Sequence, residues 1–158
     1  MANALFPLWK QALLQGSANT ALTGTLKVAL VDTGVAAGQY NAATQYLSSM
    51  ITAVPGNTTG TTTLISGIAP VGATSKTYTN GALIPNPTAS TFTAVPAGTG
   101  TGTILEALVL FIDVSNNPAL SPVVAFIDTG VTGLSGTGVT PNGGDITVNW
   151  NASGIFAL

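Results

Sequence analysis

Two aspartates, Asp32 and Asp128, each follow a run of apolar residues and precede Thr-Gly, in KVALVDTGV (27–35) and VVAFIDTGV (123–131). Paired carboxylates at strand ends, one hydrogen bond apart and sharing a proton, are the chemistry of an aspartic-type protease. Three features weigh against that reading. A two-lobed enzyme of this kind needs a much longer chain than these 158 residues. A single-triplet enzyme acting as a dimer has no use for two triplets. No second signature element supports either loop. Asp and Gly after a strand also start tight turns, which explains both triplets more simply. The protease stays as a remote alternative.

Other chemistry has less to draw on. Asp32, Asp113, Asp128 and Asp145 carry oxygen ligands suited to calcium, but no D-x-D-x-D-G loop arranges them. Glu106 could serve as an acid of raised pKa beside a second carboxylate, but an edge position near a strand start is the simpler expectation. Gly98, Gly100 and Gly102 alternate with Thr and lack the strand–loop–helix setting of a phosphate cradle. Histidine, cysteine and arginine do not occur, so the usual general bases, thiolates, zinc ligands and carboxylate forks are missing. The expectation is a non-enzymatic chain with no catalytic residues, no cofactor and no metal.

Composition narrows the remaining classes. Charged residues make up 5% of the chain against roughly 25% in an ordinary domain, while 46% is apolar. That apolar content argues for a folded chain rather than a disordered one. A surface so poor in charge resists self-association weakly, so a homo-oligomer or lattice is expected. Only Lys10, Lys27 and Lys76 are cationic, which argues against nucleic acid and against an anionic membrane surface. The longest apolar run, Ile104 to Ile112, is far shorter than the roughly 20 residues of a membrane span and contains Glu106. The N-terminal apolar stretch carries Lys10 within it and reads as part of the fold rather than as an export signal.

The elements that would position these residues are mostly strands. TLKVALVD (25–32), ILEALVLFIDV (104–114) and PVVAFID (122–128) are apolar on both alternating faces, as strands covered on both sides are. DITVNW (145–150) alternates and reads as half exposed. The following turn and IFAL predict a terminal β-hairpin over 145–158. One short helix is expected over 7–15, with Pro7 at its first position, Gly16 as its cap and a stripe of Leu8, Trp9, Ala12 and Leu13. A second helical turn or two is expected around Ala43 to Met50. Gly/Thr-rich stretches at 53–63, 96–103 and 129–144 read as surface loops or ragged edge strands. The fold expected is a single mainly β domain over 1–158, an antiparallel β-sandwich or barrel-like unit with a short N-terminal helix. Phe6, Trp9 and Leu13 at one end, and Trp150, Phe156 and Leu158 at the other, are the expected contact residues, although core packing accounts for them equally well.

The segments MANALFPLWKQALLQG, LKVALVDTG, KTYTNGALI, EALVLFIDV, VVAFIDTG and VTPNGGDITVNWNASGIFAL occur in that order along nearly the whole chain. Together they resemble a family of virion structural proteins of tailed bacteriophages, the capsid decoration (cement) proteins. The resemblance implies a mostly β subunit that assembles as a small oligomer, a trimer being favoured. It further implies binding to the outside of the head, across subunits of the major capsid protein, and localisation in virions assembled in the host cytoplasm. It brings no catalytic residues. A tail, collar or fibre component touching a host receptor is the alternative. The tail IFAL and the stretch IPNPTAST (84–91) are poorer in charge than the family's pattern, so apolar burial would carry more of any docking.

Overall fold

The computed structural model describes residues 3–22, 24–34, 36–50, 68–71, 75–79, 82–86, 88–95, 105–129 and 138–156. The chain is mainly β, with strands β1 (Ala4–Leu5), β2 (Leu26–Val31), β3 (Ile68–Pro70), β4 (Ser75–Thr79), β5 (Ala82–Asn86), β6 (Ala89–Phe92), β7 (Ala107–Ile112), β8 (Val123–Ile127) and β9 (Ile146–Asn149). One α-helix, α1 (Pro7–Leu14), follows β1. Five strands form a sheet in the order β1-β8-β7-β2-β3, and two further pairs, β4-β5 and β6-β9, stand beside it. Every strand pair is antiparallel.

The three apolar runs become the centre of the large sheet. All six residues of β7 and all five of β8 are buried, so both faces of these strands are covered. Phe92 and Val148 from the β6–β9 pair, Leu83 from β5 and Trp9 from α1 join the same buried cluster. β6 lies against β3, and α1 lies against β8.

Helix α1 starts and stops where its sequence predicts. Pro7 enters behind an extended Phe6, since a proline needs no hydrogen-bond partner in the first turn. At the other end Gly16 takes φ +65°, Gly16 N–H donates to Leu13 O at 3.1 Å, and Ser17 N–H donates to Ala12 O at 2.9 Å. This pair of bonds closes a Schellman cap. The second helical stretch is a single 3₁₀ turn at Leu47–Ser49 within the expected span.

The expected C-terminal hairpin does not form. β9 pairs with β6, with Ala89 opposite Asn149 and Phe92 opposite Ile146. Trp150 N–H extends that ladder to Thr88 O at 2.7 Å. The chain then turns through Asn151–Gly154, and Ile155–Phe156 runs along Leu83 with bonds of 2.8 and 3.0 Å. Leu83 offers a free donor and acceptor there, so the tail pairs with β5 instead of folding back on β9. Glu106 also departs from its expected edge position: it precedes β7, the central strand. The stretches 53–63 and 96–103, and residues 130–137 of the stretch 129–144, lie outside the described residues.

The turn at 151–154 depends on a missing side chain. Gly154 has φ +117°, and a Cβ there would sit 3.0 Å from Leu83 O and 3.1 Å from Ala82 Cβ. Gly154→Ala is expected to lower unfolding stability by about 1–3 kcal/mol, read from the urea midpoint. A variant as stable as the parent would contradict this packing of the tail on β5.

Candidate functional site

β2 and β8 both run antiparallel to β7, so they point the same way on either side of it. Val31 stands opposite Ala107, and Ile127 opposite Leu108. Asp32, Glu106 and Asp128 therefore emerge at one end of the sheet. β7 lies between the two aspartates, so their backbones stand two strand spacings, about 10 Å, apart.

Each carboxylate position is tied into a turn. Asp32 Oδ1 accepts Gly34 N–H at 2.8 Å, a turn closed by the residue's own side chain. Thr33 Oγ1 donates to Glu106 Oε2. The second triplet is held differently. Asn3 Oδ1 accepts the backbone N–H groups of Asp128 and Thr129 at 2.9 and 3.0 Å, and Asn3 Nδ2 donates to Thr129 O at 3.0 Å. The same Asp-Thr-Gly motif thus ends two strands by two local solutions. Among the described residues no three carboxylates come together as metal ligands.

At the opposite end of the sheet Lys27 Nζ lies 3.0 Å from Asp113 Oδ2 and donates to Asn116 Oδ1 at 3.0 Å. Asp113 N–H reaches Thr25 O at 2.8 Å, which locks the start of β2 to the end of β7. Asn41, Asn117, Asn142 and Asn151 each accept a backbone N–H two residues on. Asp145 Oδ1 accepts Ala94 N–H at 2.8 Å, where Ala94 has φ +48°. These polar side chains hold loops in shape.

The aromatic residues expected at contact surfaces are mostly internal. Phe6 is fully buried against Tyr40, with ring centroids 5.3 Å apart. Trp9 is buried, its Nε1–H donating to Thr20 O at 3.0 Å and its ring set edge-on to Phe156 at 6.3 Å. Trp150 is buried too, and its Nε1–H donates to Ser90 Oγ at 2.9 Å. An indole with a buried N–H needs such a partner, and both tryptophans find one inside the fold. Leu13 and Phe156 are half-buried against the core, and Leu158 lies outside the described residues.

The large apolar side chains that face water among the described residues are not the expected contact residues. Leu14 is 88% exposed, Leu120 50% and Tyr46 36%. Tyr46 and Leu120 border a groove of about 290 Å³ whose wall includes Leu8, Trp9 and Ala12 of α1. Leu14 belongs to the helix but not to its predicted stripe, and Leu120 sits in the turn before β8.

No protein-family model, no curated protein and no solved structure matches this chain.

If turn geometry is the role of the first triplet, an amide oxygen should replace the carboxylate. Asp32→Asn is expected to change stability by less than about 0.5 kcal/mol, and Asn3→Ala to cost about 1–2 kcal/mol because it releases several backbone bonds. Urea unfolding of the two variants checks the contrast. The reverse order would contradict it.

Proposed function

We propose that this chain is a non-enzymatic structural subunit of a tailed-bacteriophage particle, a decoration protein that binds the outside of the assembled head and stabilises the shell. One observation carries the reading: several of the few carboxylates and asparagines are spent on turns and strand ends, while the large apolar Leu14, Leu120 and Tyr46 stand exposed. Such a surface is suited to standing contacts with other proteins. The resemblance of the ordered segments from LKVALVDTG to the C-terminal VTPNGGDITVNW supplies the class of particle.

The physical role follows from mass action. A protein that binds only the assembled shell stabilises it in proportion to its binding free energy. Small oligomers, with a trimer favoured, would engage several copies of the major capsid protein at once and raise avidity without strong single contacts. The partners on this reading are copies of the same chain and the capsid protein, with no cofactor and no nucleic acid.

A reconstruction of the virion tests the reading. The expected result is β-rich density fitting this chain on the outer surface of the head, and heads lacking it should rupture at lower temperature than heads bearing it. Density at a tail tip, collar or fibre would replace the reading with the receptor-contact alternative. Absence of the chain from purified particles would overturn it.

A further inference from the structure

The start of β2 lies beside the turn that follows β7, and three polar side chains meet there. Lys27 Nζ lies 3.0 Å from Asp113 Oδ2 and donates to Asn116 Oδ1 at 3.0 Å. A primary amine, a carboxamide and a carboxylate within reach of one another are the parts of an acyl transfer: nucleophile, acyl group and proton carrier. We propose that Lys27 and Asn116 join through an isopeptide bond, with Asp113 carrying the proton.

The turn holds the acyl group in place. Ser115 and Asn116 both take left-handed backbone, with φ +54° and +55°, an uncommon pair outside glycine. Asn117 N–H donates to Val114 O at 2.9 Å, while Ser121 Oγ accepts Val114 N–H at 3.0 Å and donates to Asn117 O at 2.8 Å. The bond from Asp113 N–H to Thr25 O ties this turn to β2. Lys27 is fixed from its own side, opposite Phe111 of β7 and Pro70 of β3. Its side chain is 25% exposed and that of Asp113 is 13% exposed. Amine and amide therefore meet without ordering a loop, which is the main advantage of an intramolecular reaction.

The chemistry balances within the chain. Asp113 takes one proton from the Lys27 ammonium, and the free amine attacks Asn116 Cγ. A new C–N bond forms, and the old bond from Cγ to Nδ2 breaks. A proton from the attacking nitrogen leaves with the amide nitrogen as ammonia, and Asp113 gives up its own proton to that ammonia. Asn116 is exposed, so the ammonium escapes to solvent. The product ties the start of β2 to the connection between β7 and β8, a covalent brace in a chain that has no cysteine.

Mass spectrometry of the intact chain, then of its tryptic peptides after denaturation, tests this. Trypsin cuts after lysine, and the chain offers only Lys10, Lys27 and Lys76. The parent is expected to be lighter than its sequence by one ammonia. It should be cut after Lys10 and Lys76 but not after Lys27, leaving 11–76 joined to 77–158. Asn116→Gly, which suits the left-handed turn, and Asp113→Asn, which keeps the side chain's shape, should both have full mass and be cut after Lys27. Circular dichroism of the two variants should match the parent. A parent of full mass that is cut after Lys27 would overturn the bond, whether or not either variant folds. Loss of ammonia with normal cutting after Lys27 would place a succinimide at an Asn-Gly pair such as 142–143, and would overturn it too. A crosslink that survives in Asp113→Asn would overturn the proton transfer assigned to Asp113.

Discussion

Burial of β7 on both faces is the constraint on which the other elements depend. A strand of six apolar residues in the middle of a sheet needs a neighbour on each edge and cover on each face. β2 and β8 flank it on its two edges, β2 in register along its whole length and β8 with one register shift between Leu110 and Phe111. Burying each large aliphatic or aromatic side chain contributes about 1.5–3 kcal/mol, so this strand and its neighbours outweigh any single polar contact in the molecule. The half-buried Lys27–Asp113 pair adds little beside them, although it aligns β2 with the end of β7.

That arrangement also fixes where the conspicuous aspartates lie. Two parallel strands flanking a third must end at the same side, which brings Asp32 and Asp128 to one end of the sheet, on either side of β7. Each strand then needs its exit shaped. Asp32 shapes its own turn, and Asn3, at the start of the edge strand β1, shapes the other. These polar groups thereby serve the loops, while Leu14, Leu120 and Tyr46 remain exposed.

Legibility followed the range of the interaction. α1 was readable because Pro7 and Gly16 act within one turn of the helix. β2, β7 and β8 were readable because two-sided burial leaves an unbroken apolar run, and β9 because Ile146 and Val148 alternate with Thr147 and Asn149. Pairing was less accessible. β9 adjoins β6 rather than the tail because Ser90 accepts the Trp150 indole N–H and Thr88 its backbone N–H, contacts made across a long stretch of chain. β4 and β5 flank Asn80-Gly81, a strong hairpin signal that the apolar runs overshadowed. Phe6, Trp9 and Trp150 looked like contact residues because large aromatics suit interfaces and cores alike, and only their partners decide between the two.

A molecule with only eight charged residues, Asp32, Glu106, Asp145 and the Lys27–Asp113 pair among them held by its own backbone and side chains, should bind its partners mainly by apolar and backbone contacts. The direct test is binding of the purified protein to heads that lack it, measured as a function of salt. Between about 0.1 M and 1 M the screening length falls from ~10 Å to ~3 Å, which weakens exposed charge pairs and spares apolar contacts. The account predicts a dissociation constant that changes less than about threefold across this range. A steep loss of binding with salt would show that charge provides the grip and would contradict it.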